Sequence, residues 1–274
     1  YKQKKSILLI IFYLFALSLA YINLNDFGIH IEEKFHRLNG HYWLNYIAGV
    51  FGQNDLERVT ELKISKIGDY TLSPVSYYNK FGIILDLPLA LIEILFNFDE
   101  ITKIYYLKHY ISFIIFLIGS YFFYQILNKR FNNFYLSLLG VFLYVASPRI
   151  FGDSFLYKDV LFLSFFTICV FFLLECITRL NLKNLIYFSF FNALAINLRV
   201  FATLLPFLFI FILIIKNFYS NIFQKNYKIL IIYLFFLFLF TYIFWPYLWE
   251  NPFENFIKLF TSLKTDIQQV KILY

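Results

Sequence analysis

Apolar runs alternate with short polar breaks along most of the chain, and the runs have the length of membrane crossings. SILLIIFYLFALSLA, within residues 6–23, carries no charge, and comparable stretches recur at 107–127, 134–148, 160–178, 185–198, 200–215 and 229–247. A helix needs about 20 apolar residues to cross a bilayer, so the pattern predicts seven spans. Read as one helix, Leu185 to Ile215 would measure about 46 Å against a hydrocarbon core of about 30 Å. Asn197 and Arg199 interrupt it, so this region is expected to fold back as a hairpin.

One apolar stretch has a different character. FGIILDLPLALIEILFNF, residues 81–98, contains Asp86, Pro88 and Glu93. A single acidic group at the centre of a span costs about 2.5–3.5 kcal/mol on insertion scales, and this stretch would bury two. It is expected to lie in the interface as a helix, on the same side as the polar segment 24–80.

The loop charges agree with that choice. If 81–98 does not cross, Lys2, Lys4, Lys5, Lys129, Arg130, Arg179, Lys183, Lys216, Lys225 and Lys228 share one face, and no acid sits in those loops. The positive-inside bias then makes this face, with the N-terminus, cytoplasmic. A cleaved leader, suggested by the early lysines and by Ala16, Ser18 and Ala20, fits the remaining topology less well than a membrane anchor. The expected architecture is an all-α, polytopic transmembrane helix bundle in one membrane domain, 1–274. It divides into a first span 6–23, an outer loop with an interfacial helix 24–105, remaining spans 106–247 and an outer segment 248–274.

Composition strengthens the membrane reading and weakens others. The chain is 61% hydrophobic and 15% charged, with mean hydropathy +0.67, whereas soluble domains carry about 25% charged residues. The net charge of +7 is dispersed among short loops without a basic stripe, so no nucleic-acid partner is expected. Cys169 and Cys176 lie in one apolar run with no ligand or disulfide framework around them, and read as packing residues. The absence of Met predicts that Tyr1 is not the natural start, and the polar ending TDIQQVKILY predicts further protein beyond Tyr274.

Ionisable residues beside the span ends are the candidate chemistry, because charge at that depth is costly unless it is used or paired. On the outer face these are Asp26, Glu32 and Glu33 in DFGIHIEE, Lys80, then Arg149, Asp153, Lys158 and Asp159 in SPRIFGDSFLYKD, and Arg199 in NLR. A helix starting near Ile31 would pair Glu32 with His36 and Glu33 with Arg37 four residues on, and Arg37 and His41 read as a solvated face. Asp159 could cap the helix that it opens. Arg149 and Arg199 suit phosphate or a lipid headgroup. Trp245, Tyr247 and Trp249 fit an interfacial belt, a lipid groove or a sugar-stacking surface. HIEEKFH does not match HExxH, and a zinc site is not expected.

The order and sidedness of these residues resemble the GT-C class of membrane glycosyltransferases. The nearest likeness is to the bacterial branch of the protein O-mannosyltransferase and aminoarabinose transferase superfamily (glycosyltransferase family 39-like). Members carry an acidic pair in the first outer loop, in a phrase like DYGxxxDE, which here reads DFGIHIEE with Glu32 in place of Asp. Lys80, Asp159 and Arg199 look like the family's lysine before the interfacial helix, its acid opening the fourth span and its base at the hairpin tip.

The resemblance implies a membrane glycosyltransferase that takes sugar from a polyprenyl-phosphate-linked donor and passes it to a lipid, glycan or protein acceptor. It implies Glu32 or Glu33 as base with Asp26 and Asp159 as orienting groups, and Lys80, Arg199, Arg149 and Lys158 as donor-binding groups. A divalent cation such as Mg2+, held by Asp26, Glu33 and Asp159, is compatible with the oxygen ligands. The site would face the periplasm or exterior from a bacterial cytoplasmic membrane. The alternative is a transporter or lipid flippase without covalent chemistry, although transporters place ionisable groups near the bilayer midplane and use inverted repeats, neither of which appears here.

Overall fold

The computed structural model describes residues 2–67, 82–98, 100–156, 158–220 and 223–258, and among these it is helical, with no strand. The chain begins with α1 (Lys2–Asn23) and a 3-10 turn at Leu24–Asp26, followed by α2 (Ile31–Val50) and α3 (Asn54–Ile67). Then come α4 (Asp86–Leu95), α5 (Ile101–Phe131), α6 (Phe134–Val145), the short α7 (Pro148–Asp153) and α8 (Asp159–Thr178). After α9 (Leu182–Leu198), a 3-10 turn at Val200–Thr203 leads to α10 (Leu204–Ser220) and α11 (Phe223–Ile243).

Each expected crossing coincides with a helix. Gln3–Asn23, Ile101–Phe131 and Asp159–Thr178 are long and apolar enough to cross a membrane by length and composition. Phe134–Val145, Val200–Ile215 and Lys228–Ile243 are shorter apolar helices, and the 12 residues of α6 rise only about 18 Å. The expected hairpin is present. Helix α9 stops at Leu198, Arg199 is extended (φ −146°, ψ 118°), and the chain re-enters helix through the 3-10 turn.

Local sequence explains the helix ends. Asn133 accepts backbone hydrogen bonds from Tyr135 and Leu136, the usual service of an N-cap amide. Just before it, Asn132 takes the left-handed conformation (φ 50°) that ends α5, which asparagine tolerates. Pro88 is accommodated because it falls in the first turn of α4, where its missing N–H has no partner to lose.

Two apolar cores hold the bundle. One lies among α8, α9, α10 and α11 and includes Ile168, Phe188, Phe209, Tyr233 and Trp245. The other lies among α1, α5, α6 and α8 and includes Ala20, Phe113, Phe116, Val141 and Phe155. Small residues let α5 and α8 approach closely: a Cβ on Gly119 would stand 2.7 Å from the Cβ of Ser164. Cys169 and Cys176 are free and buried in the first core, as packing residues. Ile7, Ile10 and Leu14 of α1, Leu139 and Leu143 of α6, and Phe207 and Phe211 of α10 point outward. That apolar exterior is what lipid requires.

Helix α4 spans 10 residues, about 15 Å, and packs against α2. Gly40 of α2 makes this contact, since a Cβ there would fall 2.2 Å from the Asp86 carbonyl oxygen. The two ends of the bundle differ in chemistry. At one, Lys129 pairs with Glu175 and Lys5 sits over the Phe134 ring. At the other, called the loop end below, α2 and α4 meet the start of α8 and the ends of α9 and α11.

Candidate functional site

Helix α2 opens the site. The His30 N–H donates to Glu33 Oε2 at 3.0 Å, and the His30 ring accepts from the Glu32 N–H at 3.3 Å. This reciprocal cap fixes the first turn and sends the two glutamates in different directions. Glu33 turns inward and is fully buried, its Oε1 2.8 Å from His109 Nε2 of α5. Lys108 Nζ donates to the Glu33 backbone carbonyl at 3.3 Å. Glu32 turns outward, 51% exposed, with Oε2 3.9 Å from Lys158 Nζ.

Lys158 precedes α8 with φ +101° and ψ −67°, a conformation that is strained for a side chain with a Cβ. That backbone swings its largely buried ammonium towards Glu32. Burial pushes its pKa below the ordinary lysine value, with Arg199 acting in the same direction and Glu32, Asp159 and Asp86 opposing. Asp159, the first residue of α8, does not cap the helix. No side chain caps α8, and Asp159 instead pairs with the Arg199 guanidinium at the tip of the α9–α10 hairpin. Beside that tip, Gly82 donates to the Asn197 carbonyl at 2.9 Å. The segment entering α4 is thereby pinned to the end of α9.

Beneath the rim lies a buried polar layer. Asp86 Oδ2 is 3.0 Å from His36 Nδ1 and accepts from Asn39 Nδ2 at 2.6 Å. Burial lowers the His36 pKa, helped by Lys108 and Lys158 and opposed by Asp86. About two helical turns further along α4, Glu93 accepts two hydrogen bonds from Arg37, at 2.9 and 2.7 Å. It also meets His41 Nε2 at 3.1 Å and Lys63 Nζ at 3.6 Å. Burial alone would raise the Glu93 pKa, but the His41 and Arg37 contacts prevail and hold it at about 2. The cavity between these groups, lined by His36, Arg37, Asp86, Glu93 and Lys108, measures ≈ 20 Å³. It admits a water and not a sugar, so this layer can brace the rim but cannot itself hold a sugar.

The predicted residues therefore divide. Glu32, Lys158, Asp159 and Arg199 converge at the loop end, and Glu33 lies directly behind them. Asp26 is exposed in the turn after α1. Arg149 is 93% exposed and approaches only Asp153, at 3.8 Å. Lys80 lies outside the described residues. The carboxylates expected to share a cation do not gather: among the described residues no group of three or more His, Cys, Asp or Glu side chains is placed to hold a metal ion. Both Glu33 oxygens are already engaged, by the His30 N–H and by His109.

Two expectations are corrected. The pairs Glu32–His36 and Glu33–Arg37 do not form, because Asp86, His109 and Glu93 on other helices take those partners. Arg37 and His41 are not a solvated face but are drawn inward by Glu93. Sequence reasoning placed Asp86 and Glu93 only as marks of an interfacial helix, gave His36 the wrong partner, and assigned nothing to Lys108 or His109. The signal was two acids in an apolar segment, each of which needed a cationic partner.

The helical bundle thus has an apolar exterior, a charged rim at one end and a buried ionic layer behind that rim. The family model described as dolichyl-phosphate-mannose-protein mannosyltransferase matches residues 89–245, more than half of the chain, and the protein belongs to this family. The match covers Lys108, Lys158, Asp159 and Arg199 and begins after α2. No curated protein and no solved structure matches the chain. Family membership points to membrane glycosyltransferase activity with a lipid-linked sugar donor, and does not favour the transporter alternative.

Proposed function

We propose that the chain transfers a sugar from a polyprenyl-phosphate-linked donor to an acceptor hydroxyl at the loop end, on the non-cytoplasmic face of a bacterial cytoplasmic membrane. The observation that carries this reading is the meeting of Glu32 from α2, Lys158 and Asp159 from the start of α8, and Arg199 from the end of α9. Three remote segments bring a solvent-facing carboxylate beside two cations, the pairing that a base and an anionic leaving group require.

In the proposed step the acceptor oxygen bonds to the anomeric carbon while the bond from that carbon to the phosphate oxygen breaks. The acceptor proton passes to Glu32, and the electron pair leaves with polyprenyl phosphate. Lys158 and Arg199 bind that phosphate, Asp159 orients Arg199, and Asp26 flanks the acceptor side. Glu33 is a positioning residue, because its oxygens already serve His30 and His109. An apolar groove of ≈ 590 Å³ supports a lipid donor. Ile196 and Thr203, on either side of Arg199 in the chain, line it together with Phe207, Leu237 and Phe238. An isoprenoid tail lying there would bring its phosphate to the hairpin tip.

The test is turnover of a radiolabelled polyprenyl-phosphate sugar by the purified chain. Glu32→Gln is expected to lower kcat by about 10²–10⁴-fold, the usual worth of a general base. Unchanged turnover in that variant would remove Glu32 from the mechanism, and unaltered lipid moved across a vesicle would mark a flippase.

A further inference from the structure

The far end of α2 meets the segment after α11 in a cluster that the transfer step does not use. Tyr46 and Trp249 stand with ring centroids 6.4 Å apart, and Trp43 backs Tyr46 edge-on at 5.5 Å. Trp43 is buried, while Tyr42, Tyr46 and Trp249 are partly exposed and Glu250 is exposed. The Glu250 carboxylate, next in the chain to Trp249, is near enough to Tyr46 and Tyr42 for its charge to add to the upward pKa shift that burial gives both phenols.

The Trp249 ring is held in a fixed plane. Its indole N–H donates to the Tyr242 carbonyl at 2.8 Å, and the Tyr242 hydroxyl donates to the Trp249 carbonyl at 3.2 Å. A tryptophan in an interfacial belt keeps its N–H for water and headgroups. Trp249 has spent that donor within the protein and offers only its π face. A carboxylate is also costly against acyl chains, and Glu250 is exposed, so the Glu250 side of the cluster is open to solvent.

A rigid indole face, tyrosine hydroxyls and an acceptor-only carboxylate together match one chemistry, that of a pyranose ring. Its C–H face packs against the electron-rich π surface, and its hydroxyls donate to the carboxylate in charge-assisted hydrogen bonds. Tyr46 follows Glu32 by 14 residues on one helix, which places the cluster about 21 Å from the base. At that distance it cannot hold the sugar being transferred.

We infer that Tyr46, Trp249 and Glu250 form a saccharide subsite, and that the acceptor is an oligosaccharide whose growing end reaches Glu32. This rests on the transferase reading for the acceptor's role, but not for the binding itself.

The experiment titrates the purified full chain in detergent with mannotetraose, cellotetraose and chitotetraose, following tryptophan fluorescence. At least one tetrasaccharide is expected to give a saturable change. Trp249→Ala and Glu250→Ala should each weaken binding at least tenfold, and Gly28→Ala, which adds a methyl to open space, should leave it unchanged. Glu250 is exposed, so its loss does not threaten folding. No saturable response, a response kept in both cluster variants, or a response only to a neutral tripeptide would overturn the proposal. If saccharide binding fails while turnover still depends on Glu32, the transferase reading stands alone. If binding holds without turnover, the subsite stands and the reaction assignment falls.

Discussion

Adjacent glutamates at the start of α2 end in opposite environments because a helix turns by about 100° per residue. One step along the chain carries a carboxylate from the solvent at Glu32 to full burial at Glu33. The sequence could not say which of the two does chemistry, since both share the same neighbours along the chain. Their partners, Lys158 and His109, lie more than 70 residues away. A buried hydrogen bond that loses one partner leaves the other unsatisfied, at about 1–3 kcal/mol and more for charged groups. Glu33→Ala is therefore expected to lower the thermal midpoint sharply, whereas Glu32→Ala should leave it close to that of the parent. Thermal unfolding in detergent separates the two. Glu93 gives a pH prediction with a definite sign. Its pKa falls from an ordinary 4.5 to about 2 in the fold, so its stabilising contribution is fully present above pH 4.5 and lost as pH falls towards 2. Unfolding midpoints measured across that window should drop with acid, and Glu93→Gln should flatten the drop.

At the scale of elements, apolar periodicity was enough to place the long helices and the hairpin at Asn197–Arg199. It also marked 81–98 as unlike the other apolar stretches, because two acids cannot be left alone in hydrocarbon. What it could not give was how α4 lies on α2. That arrangement depends on a glycine in mid-helix, and a glycine has no pattern of its own to read. At Gly40 the helices approach so closely that a methyl would meet the Asp86 carbonyl oxygen at 2.2 Å. Backbone cannot yield as a side-chain tip can. Gly40→Ala should push α4 away, breaking the contacts from His36 to Asp86 and from Arg37 to Glu93 together. Overpacking of this kind costs about 1–3 kcal/mol, and transfer activity should fall with the thermal midpoint. Gly28→Ala is the control, since nothing lies within 4 Å of its added carbon, and it should change neither quantity.

At the scale of the whole molecule, the proposal depends on which loops share a face, because Glu32, Asp159 and Arg199 act together only at one end of the bundle. If 81–98 lies in the interface, α5 runs inward and Arg130 faces the cytoplasm. If it crosses, α5 runs outward and Arg130 emerges on the same side as Asn54, while Asp159 moves to the opposite side from Glu32. Cysteine labelling distinguishes the two, helped by the burial of the native Cys169 and Cys176. Asn54 and Arg130 are both exposed. With a membrane-impermeant maleimide on intact cells, Asn54→Cys should label readily, and Arg130→Cys only after permeabilisation. The contact between Glu32 and Lys158 and that between Gly82 and Asn197 require this outcome, since each ties the first polar loop to the α8–α9 end of the bundle. Labelling of Arg130→Cys in intact cells would set those contacts on opposite faces of the membrane and leave the transfer step without a base beside its phosphate.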